Sequence, residues 1–320
     1  MTDWQPTASL DMLKTKARLL SKLRAFFAEK EILEVQTPVL SQAGNTEPTI
    51  ESFSTKSKEQ NLFLNTSPEF AMKRLLAAGC GDIYQITPAF RQEEQGKRHN
   101  PEFTLLEWYR LDFDHYALMK EVNSLVQFVA DGFIKLGESQ SYSYQDAMIK
   151  FADVDPFDAT IDDLKTAIAR AGIDAIGMED AFKDTWLDLL MSQVVEKNLP
   201  LNCPVFIYNY PASQAALAKI QKGSPDLAER FELYVNGMEL ANGFYELTDA
   251  KEQEQRFIKD QEERKELGLQ EIPIDTYLIN ALNEGLPNCA GVALGLDRLL
   301  MVLTGKEHIN EVLTFPFDRA

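Results

Sequence analysis

Two β-hairpins set among amphipathic helices predict a chain that mixes helices with antiparallel strands. Three observations carry that reading. The first is the stretch Phe90–Tyr109, FRQEEQGKRHNPEFTLLEWY, where a strand ending at Ile86–Arg91 and a return strand from Phe103 to Tyr109 enclose a long charged tip. The second is Arg230–Glu246, in which Asn236-Gly237 stands between two strand-like runs. That residue pair suits a type I′ turn, because both of its positions take positive φ. The third is Ser9–Lys30, where Leu13, Ala17, Leu20, Leu23 and Phe27 recur on one helical side.

The chain has 320 residues, 45% of them hydrophobic and 26% charged, which is the balance of an ordinary soluble globular protein. No repeat, low-complexity tract or linker divides it, so a single domain over residues 1–320 is expected. No apolar run approaches the roughly 18 residues of a membrane span. The opening MTDWQPTASL lacks the basic-then-apolar pattern of a signal peptide. Cys80, Cys203 and Cys289 are scattered with no CxxC pair, which reads as reduced thiols in the cytoplasm. Three histidines without ligand spacing argue against a zinc enzyme. The net charge of −18 argues against broad contact with nucleic acid. Lys14, Lys16, Arg18, Lys22 and Arg24 around the first helix are a solvated face or a dock for an acidic macromolecule.

In chain order, Ile32–Leu40 reads as a strand closed by Pro38, and residues 41–60 as a polar loop. Leu62–Thr66 is a second strand. Ser67-Pro68 then opens a helix over Glu69–Ala78 that Gly79 closes. In the first hairpin, alternation places Arg91 with Glu93 on one face, and Phe103 with Glu107 and Tyr109 on one face. Should the faces coincide, a guanidinium, a carboxylate, an aromatic ring and a phenol converge where a nucleotide would fit. The alternative is a solvated hairpin tip.

Residues 112–226 read as helix-rich, with a buried strand at Val205–Tyr210 and a short helix at Ser213–Ile220. In the second hairpin, pairing Val235 with Met238 sets Tyr234 opposite Glu239 and Glu232 opposite Ala241. Glu232 and Glu239 then share a face, and two carboxylates converging on one spot suit magnesium. Glu246 falls on the other face unless a β-bulge near Asn242-Gly243 brings it back. Asp249–Glu266 reads as a highly charged helix with a solvated face, including the i,i+4 pairs Glu252/Arg256 and Asp260/Arg264, and Pro273–Gly285 as another helix. Finally, Gly291, Ala293 and Gly295 alternate on one strand face and leave room for a ligand, and Arg298 opens the helix that follows.

Arg-x-Glu, a charged loop and Arg-His-Asn-Pro-Glu-Phe-Thr together resemble motif 2 of class II aminoacyl-tRNA synthetases, specifically the lysyl subgroup. Ile32–Leu40 resembles motif 1, which builds their dimer interface, although Glu31 stands where many relatives have glycine. Gly291–Leu299 resembles motif 3. WQPTAS near the start, PASQAALA at 211–218 and FYELTDA at 244–250 are similar to a family of truncated paralogues, the elongation factor P lysine ligases.

The resemblance implies an α+β fold, the class II synthetase catalytic core with an antiparallel six-stranded sheet flanked by helices, a homodimer, and no anticodon-binding OB domain. It also implies a two-step, ATP-dependent ligase. Lysine or (R)-β-lysine becomes an aminoacyl-adenylate and passes to a lysine ε-amine of elongation factor P, with no stable tRNA binding. Arg91, Gln92, Glu93, His99, Asn100, Phe103, Glu239, Leu240, Gly295 and Arg298 would surround ATP, Arg91 and Arg298 being the catalytic pair. Ser67, Pro68, Glu69, Tyr109, Asn242, Glu246 and Ala293 would hold the amino acid, and Glu232 with Glu239 the Mg²⁺. Two rival readings are a tRNA-charging enzyme and a non-catalytic amino-acid sensor.

Overall fold

Helix α1 (Leu10–Glu29) begins where Ser9 caps it, its hydroxyl accepting the Met12 N–H at 3.2 Å. Leu19, Leu23, Phe26 and Phe27 on its inner side are buried. Four of the five basic residues singled out on it have partners elsewhere in the fold. Lys16 reaches Asp297 at 2.8 Å, Lys22 donates to the carbonyls of Phe128 and Asp131, Arg24 pairs with Glu34, and Arg18 lies over the Phe133 ring. The computed structural model describes residues 4–58, 60–92, 94–178 and 181–320.

The run 32–40 is not one strand. It holds only β1 (Leu33–Glu34) before the chain continues to β2 (Leu40–Ser41). Glu31 takes φ +56°, so the turn keeps the left-handed backbone although a glutamate occupies it. The expected loop at 41–60 contains β3 (Ser54–Ser57), which pairs with β4 (Gln60–Leu64) in a small sheet of order β2-β4-β3. Helix α2 (Glu69–Ala77) follows, then β5 (Ile83–Phe90) and β6 (Glu102–Leu111), which form the first hairpin.

The middle of the chain is helical, as expected: α3 (His115–Ala130), β7 (Gln140–Ser143), α4 (Tyr144–Ala152), α5 (Ile161–Arg170) and α6 (Lys183–Leu190). A π-helical turn at Met191–Val195 joins α6 to α7 (Glu196–Asn198). Strand β8 (Pro204–Pro211) comes next, but the short helix expected at Ser213–Ile220 does not form. A 3₁₀ turn at Ala212–Gln214 leads to β9 (Ile220–Gln221), and Ala218 bridges to Glu246. The second hairpin is β10 (Leu227–Val235) and β11 (Met238–Tyr245). The chain closes with α8 (Ala250–Glu266), α9 (Thr276–Gly285), β12 (Cys289–Gly295) and α10 (Leu296–Thr304).

The main sheet has nine strands rather than six, in the order β1-β5-β6-β12-β11-β10-β8-β7, with β9 beside β10. The six from β5 to β8 are antiparallel; β1 and β7 add to the two ends in parallel. Alternation decides what each face carries. Leu106, Trp108, Leu233, Val292 and Leu294 point to a core shared with α1, α3 and α10. The residues between them face the other way, and that second face carries the site. Helix α8 is more than a solvated face. Arg264 is 1% exposed and holds Glu51 at 2.7 Å and the carbonyls of Gln270 and Glu47, while Asp260 accepts from Thr46 instead of pairing with Arg264. Only the Glu252/Arg256 pair forms as expected.

Candidate active site

Strand register assembles the site. Gln85, Glu107, Ala293, Asn242 and Glu232 stand side by side across β5, β6, β12, β11 and β10. The neighbouring row is Tyr109, Gly291, Phe244 and Arg230. Asn236 and Gly237 turn the second hairpin with φ +53° and +64°, and Val235↔Met238 and Tyr234↔Glu239 pair as the sequence predicts.

Beyond that point the register differs. Leu233 pairs with Ala241, leaving Leu240 unpaired, so Glu232 lies opposite Asn242 and not Ala241. The bulge expected near Asn242-Gly243 is absent, because the ladder runs unbroken from Ala241 to Phe244. The bulge at Leu240 has the same consequence two residues earlier. One extra residue flips the parity, and Glu239, Asn242, Phe244 and Glu246 fall on the site face together.

On that face lies a cavity of about 210 Å³. At one end the Arg91 guanidinium sits over the Phe103 ring at 5.2 Å and pairs with Glu94 at 2.9 Å. Arg298 donates to the Glu239 carbonyl at 3.2 Å, contacts its carboxylate at 3.4 Å and reaches the Arg98 carbonyl at 3.3 Å. His99 lines the same end. Burial and the neighbouring Arg298 hold its imidazole below the usual range. Leu240 and Gly295 complete the wall, and a methyl added at Gly295 would meet nothing closer than 3.9 Å. Asn100 also lines it, yet its amide is spent on structure, donating to the Glu102 carbonyl and accepting the Phe317 N–H. Gln92 turns away and donates to the Ser52 carbonyl at 2.7 Å. Glu93 lies outside the described residues.

The other end is carboxylate-rich. Ser67, Glu69, Asn242 and Ala293 line the cavity, whereas Pro68 lines the adjoining one. Tyr109 and Glu246 sit beneath the floor, where Tyr109 donates to Glu107 at 2.8 Å and Ser67 donates to Glu107 at 2.7 Å. Gly291 is confined here, since a methyl on it would overlap the Tyr109 ring and the Glu246 carboxylate. The space read from the sequence as ligand room is thus filled by the protein at Gly291 and open only at Ala293 and Gly295.

The residue that the sequence reading missed is Lys73. It is 1% exposed, and its ammonium lies 2.7 Å from Glu69 and 2.6 Å from Glu246. Burial opposes its charge, but Glu246 and Glu69 outweigh that and raise it above the ordinary lysine value. A Glu–Lys pair at i,i+4 on a helix was the available signal. Glu107 was visible by alternation but received no role.

Three carboxylates against one ammonium leave the cluster short of positive charge. Burial and the charge of Glu69 push Glu107 up to about 8, against hydrogen bonds from Ser67 and Tyr109. Burial pushes Glu246 up to about 7, with Lys73 opposing and Glu69 adding to the rise. Both carboxyls bind protons more tightly folded than unfolded, so their contribution to stability is complete below about pH 4.5 and is lost as pH rises through about 7 to 8. The ligand-free protein is therefore expected to lose stability from pH 5 to 8, and a bound diamino acid to flatten that slope. Urea denaturation across this range checks it; a slope of opposite sign, or one unmoved by ligand, contradicts it.

The two expected magnesium ligands are placed differently from each other. Glu239 lines the cavity, and partial burial and the charge of Glu232 raise its carboxyl, with Arg298 opposing. A cation there would relieve that charge. Glu232 instead accepts from Arg230, Tyr210 and Tyr234. Glu239 fits a magnesium ion as it stands; Glu232 fits one only with Arg230 turned aside. Among the described residues no group of three or more histidine, cysteine or carboxylate side chains is arranged to hold a metal, and no helix is long and apolar enough to cross a membrane.

The profile of the tRNA synthetases class II (D, K and N) matches residues 1–319. Among curated proteins, the chain is 49% identical to the Elongation factor P–(R)-beta-lysine ligase of Vibrio parahaemolyticus over 325 residues, covering 100% of this chain and 99% of that one. The protein of the same description in Vibrio cholerae is likewise 49% identical with the same coverage. The one in Proteus mirabilis is 48% identical over 326 residues, again covering 100% and 99%.

Proposed function

Because the chain belongs to the class II tRNA synthetases (D, K and N) and, within them, to the family of elongation factor P–(R)-beta-lysine ligases, we propose that it joins lysine or (R)-β-lysine to a lysine of elongation factor P at the expense of ATP. The observation that supports this best is the polarity of the cavity. Phe103, Arg91 and Arg298 occupy one end, and Glu69, Asn242 and Ala293 the other. An aminoacyl-adenylate has that same polarity, with its acyl phosphate where the two ends meet.

In the first step a carboxylate oxygen of the amino acid attacks the α-phosphorus, and pyrophosphate leaves. Arg91 stabilises the charge that develops on the α-phosphate, and Arg298 binds the terminal phosphates with His99 beside it. Phe103 stacks on adenine. Glu69 holds an ammonium of the amino acid at the cavity wall, with Asn242 beside it; Glu246 and Tyr109 act from beneath the floor. Magnesium, held by Glu239 with Glu232 behind it, would neutralise phosphate charge. In the second step the acceptor ε-amine attacks the acyl carbon, the amide C–N bond forms, and AMP departs with the electrons of the broken C–O bond.

Incubation with ATP and labelled (R)-β-lysine, plus either elongation factor P or bulk tRNA, tests this reading. Label is expected on the protein. Label on tRNA alone, or no pyrophosphate exchange, overturns it. Binding to tRNA is expected to be weak and abolished by modest salt, given the net charge of −18. A homodimer is also part of the proposal. Leu33 and Leu40 are 53% and 41% exposed on the run 32–40, and a second copy would cover them.

Ala293 supplies a selectivity test. It pairs with both Asn242 and Glu107, and it is one of two partly exposed residues on β12. Its methyl would crowd the branch of an α-amino acid more than that of a β-amino acid. Ala293→Gly should raise kcat/KM for α-lysine relative to β-lysine by about tenfold or more, since one methyl is worth roughly ten- to two-hundred-fold in discrimination. An unchanged ratio removes Ala293 from that role.

A further inference from the structure

The adenylate cavity has a larger neighbour. A second cavity of about 510 Å³ adjoins it, and Asn45, Thr66, Ser67 and Glu69 line both. The shared wall is therefore the amino-acid end of the first cavity, not its phosphate end. We propose that this second cavity receives the acceptor lysine side chain during transfer. The inference rests on the ligase reading above.

The second half-reaction needs a site that the first does not. On that reading the adenylate occupies the smaller cavity, and a long primary amine must still reach its acyl carbon. An entrance beside Arg298 and His99 would meet phosphate. An entrance from the larger cavity arrives beside Ser67 and Glu69.

Its lining suits an alkyl stem ending in an ammonium. Leu40, Phe70 and Pro273 give apolar wall, while Glu69 and Asp275 bring carboxylates. Arg74, the one lysine or arginine among the described residues that line it, is stacked on Tyr277 at 4.9 Å. Asn65 also lines it, and both its amide oxygen and its amide nitrogen are buried without a hydrogen-bond partner. Groups of that kind are rare in folded proteins and are usually met by a ligand or water. At the shared wall the incoming nitrogen, as free amine, forms the C–N bond while the acyl C–O bond to AMP breaks. The amine's surplus proton passes to solvent.

Filling the cavity without touching the adenylate site tests the assignment. Ala43 and Ala71 both line it and lie outside the first cavity. Ala43→Trp and Ala71→Trp are each assayed for pyrophosphate exchange, for hydroxamate formation with hydroxylamine, and for labelling of elongation factor P. Expected is exchange and hydroxamate formation within about twofold of wild type, with protein labelling down about tenfold or more, the loss that a misplaced nucleophile brings. Wild-type labelling in both variants overturns the proposal. So does parallel loss of exchange, which would make the cavity part of amino-acid binding, or loss of dimer by light scattering, which would make it an interface between copies. Failure of exchange in the wild-type protein would instead refute the ligase reading itself.

Discussion

Arg298→Ala is expected to lower pyrophosphate exchange by about a hundred- to a thousandfold, the usual cost of removing one positioned charge donor from a transition state. Two features make this side chain the sharpest test. It enters from the first turn of α10, the end of a helix that favours an anion. It also contacts Glu239, whose carboxyl burial and Glu232 already raise, so that without Arg298 that carboxyl rises further. Arg298 is partly exposed and contacts only side-chain and carbonyl oxygens, so the thermal transition should barely move. Exchange at the wild-type rate in a folded variant would remove Arg298 from the mechanism.

The parts of this molecule that were legible in its sequence are those set by parity and by local turn chemistry. Asn236-Gly237 predicted the hairpin and its first two pairs, and both residues take the positive φ that such a turn demands. Alternation in β12 placed Ala293 and Gly295 on one face, and alternation in β6 placed Phe103 and Tyr109 together. Parity fails wherever a residue is inserted. The Leu240 bulge changed the partner of Glu232, and nothing in the composition of 238–246 marks Leu240 over Asn242 as the place. The rest of the shortfall is tertiary. Arg264 looked solvated because its partner Glu51 lies 213 residues away in sequence. The edge strands β1 and β7 pair in parallel with distant segments, and short polar strands such as β3 leave no periodic trace. Lys73 was overlooked for a similar reason. Its helix presents Glu69 four residues earlier, an ordinary surface pair by spacing alone. Burial against Glu246 is what makes it part of the site.

Lys73→Met should be the most destabilising single change in the site, by about 3–5 kcal/mol, the range for removing one partner of a buried ion pair. The size follows from what is left behind. Glu69, Glu107 and Glu246 would share one region with no cation, two of them almost fully buried. The loss should depend on pH in a definite direction. Near pH 5 Glu107 and Glu246, already raised to about 8 and about 7, are protonated, and the variant lacks little. As pH rises through 7 to 8 the wild type begins to ionise them against Lys73, whereas the variant cannot, and the gap widens. Lys73→Arg keeps the charge but brings a wider, planar group, and should recover only part of the loss. Free lysine added to Lys73→Met should restore more stability than it gives the wild type, because its ammonium supplies a missing cation. Urea titrations of the three proteins between pH 5 and 8, with and without lysine, measure all of this. A loss below about 1 kcal/mol, within the range of an ordinary surface pair, or one constant across pH, would mean that Lys73 does not neutralise the cluster.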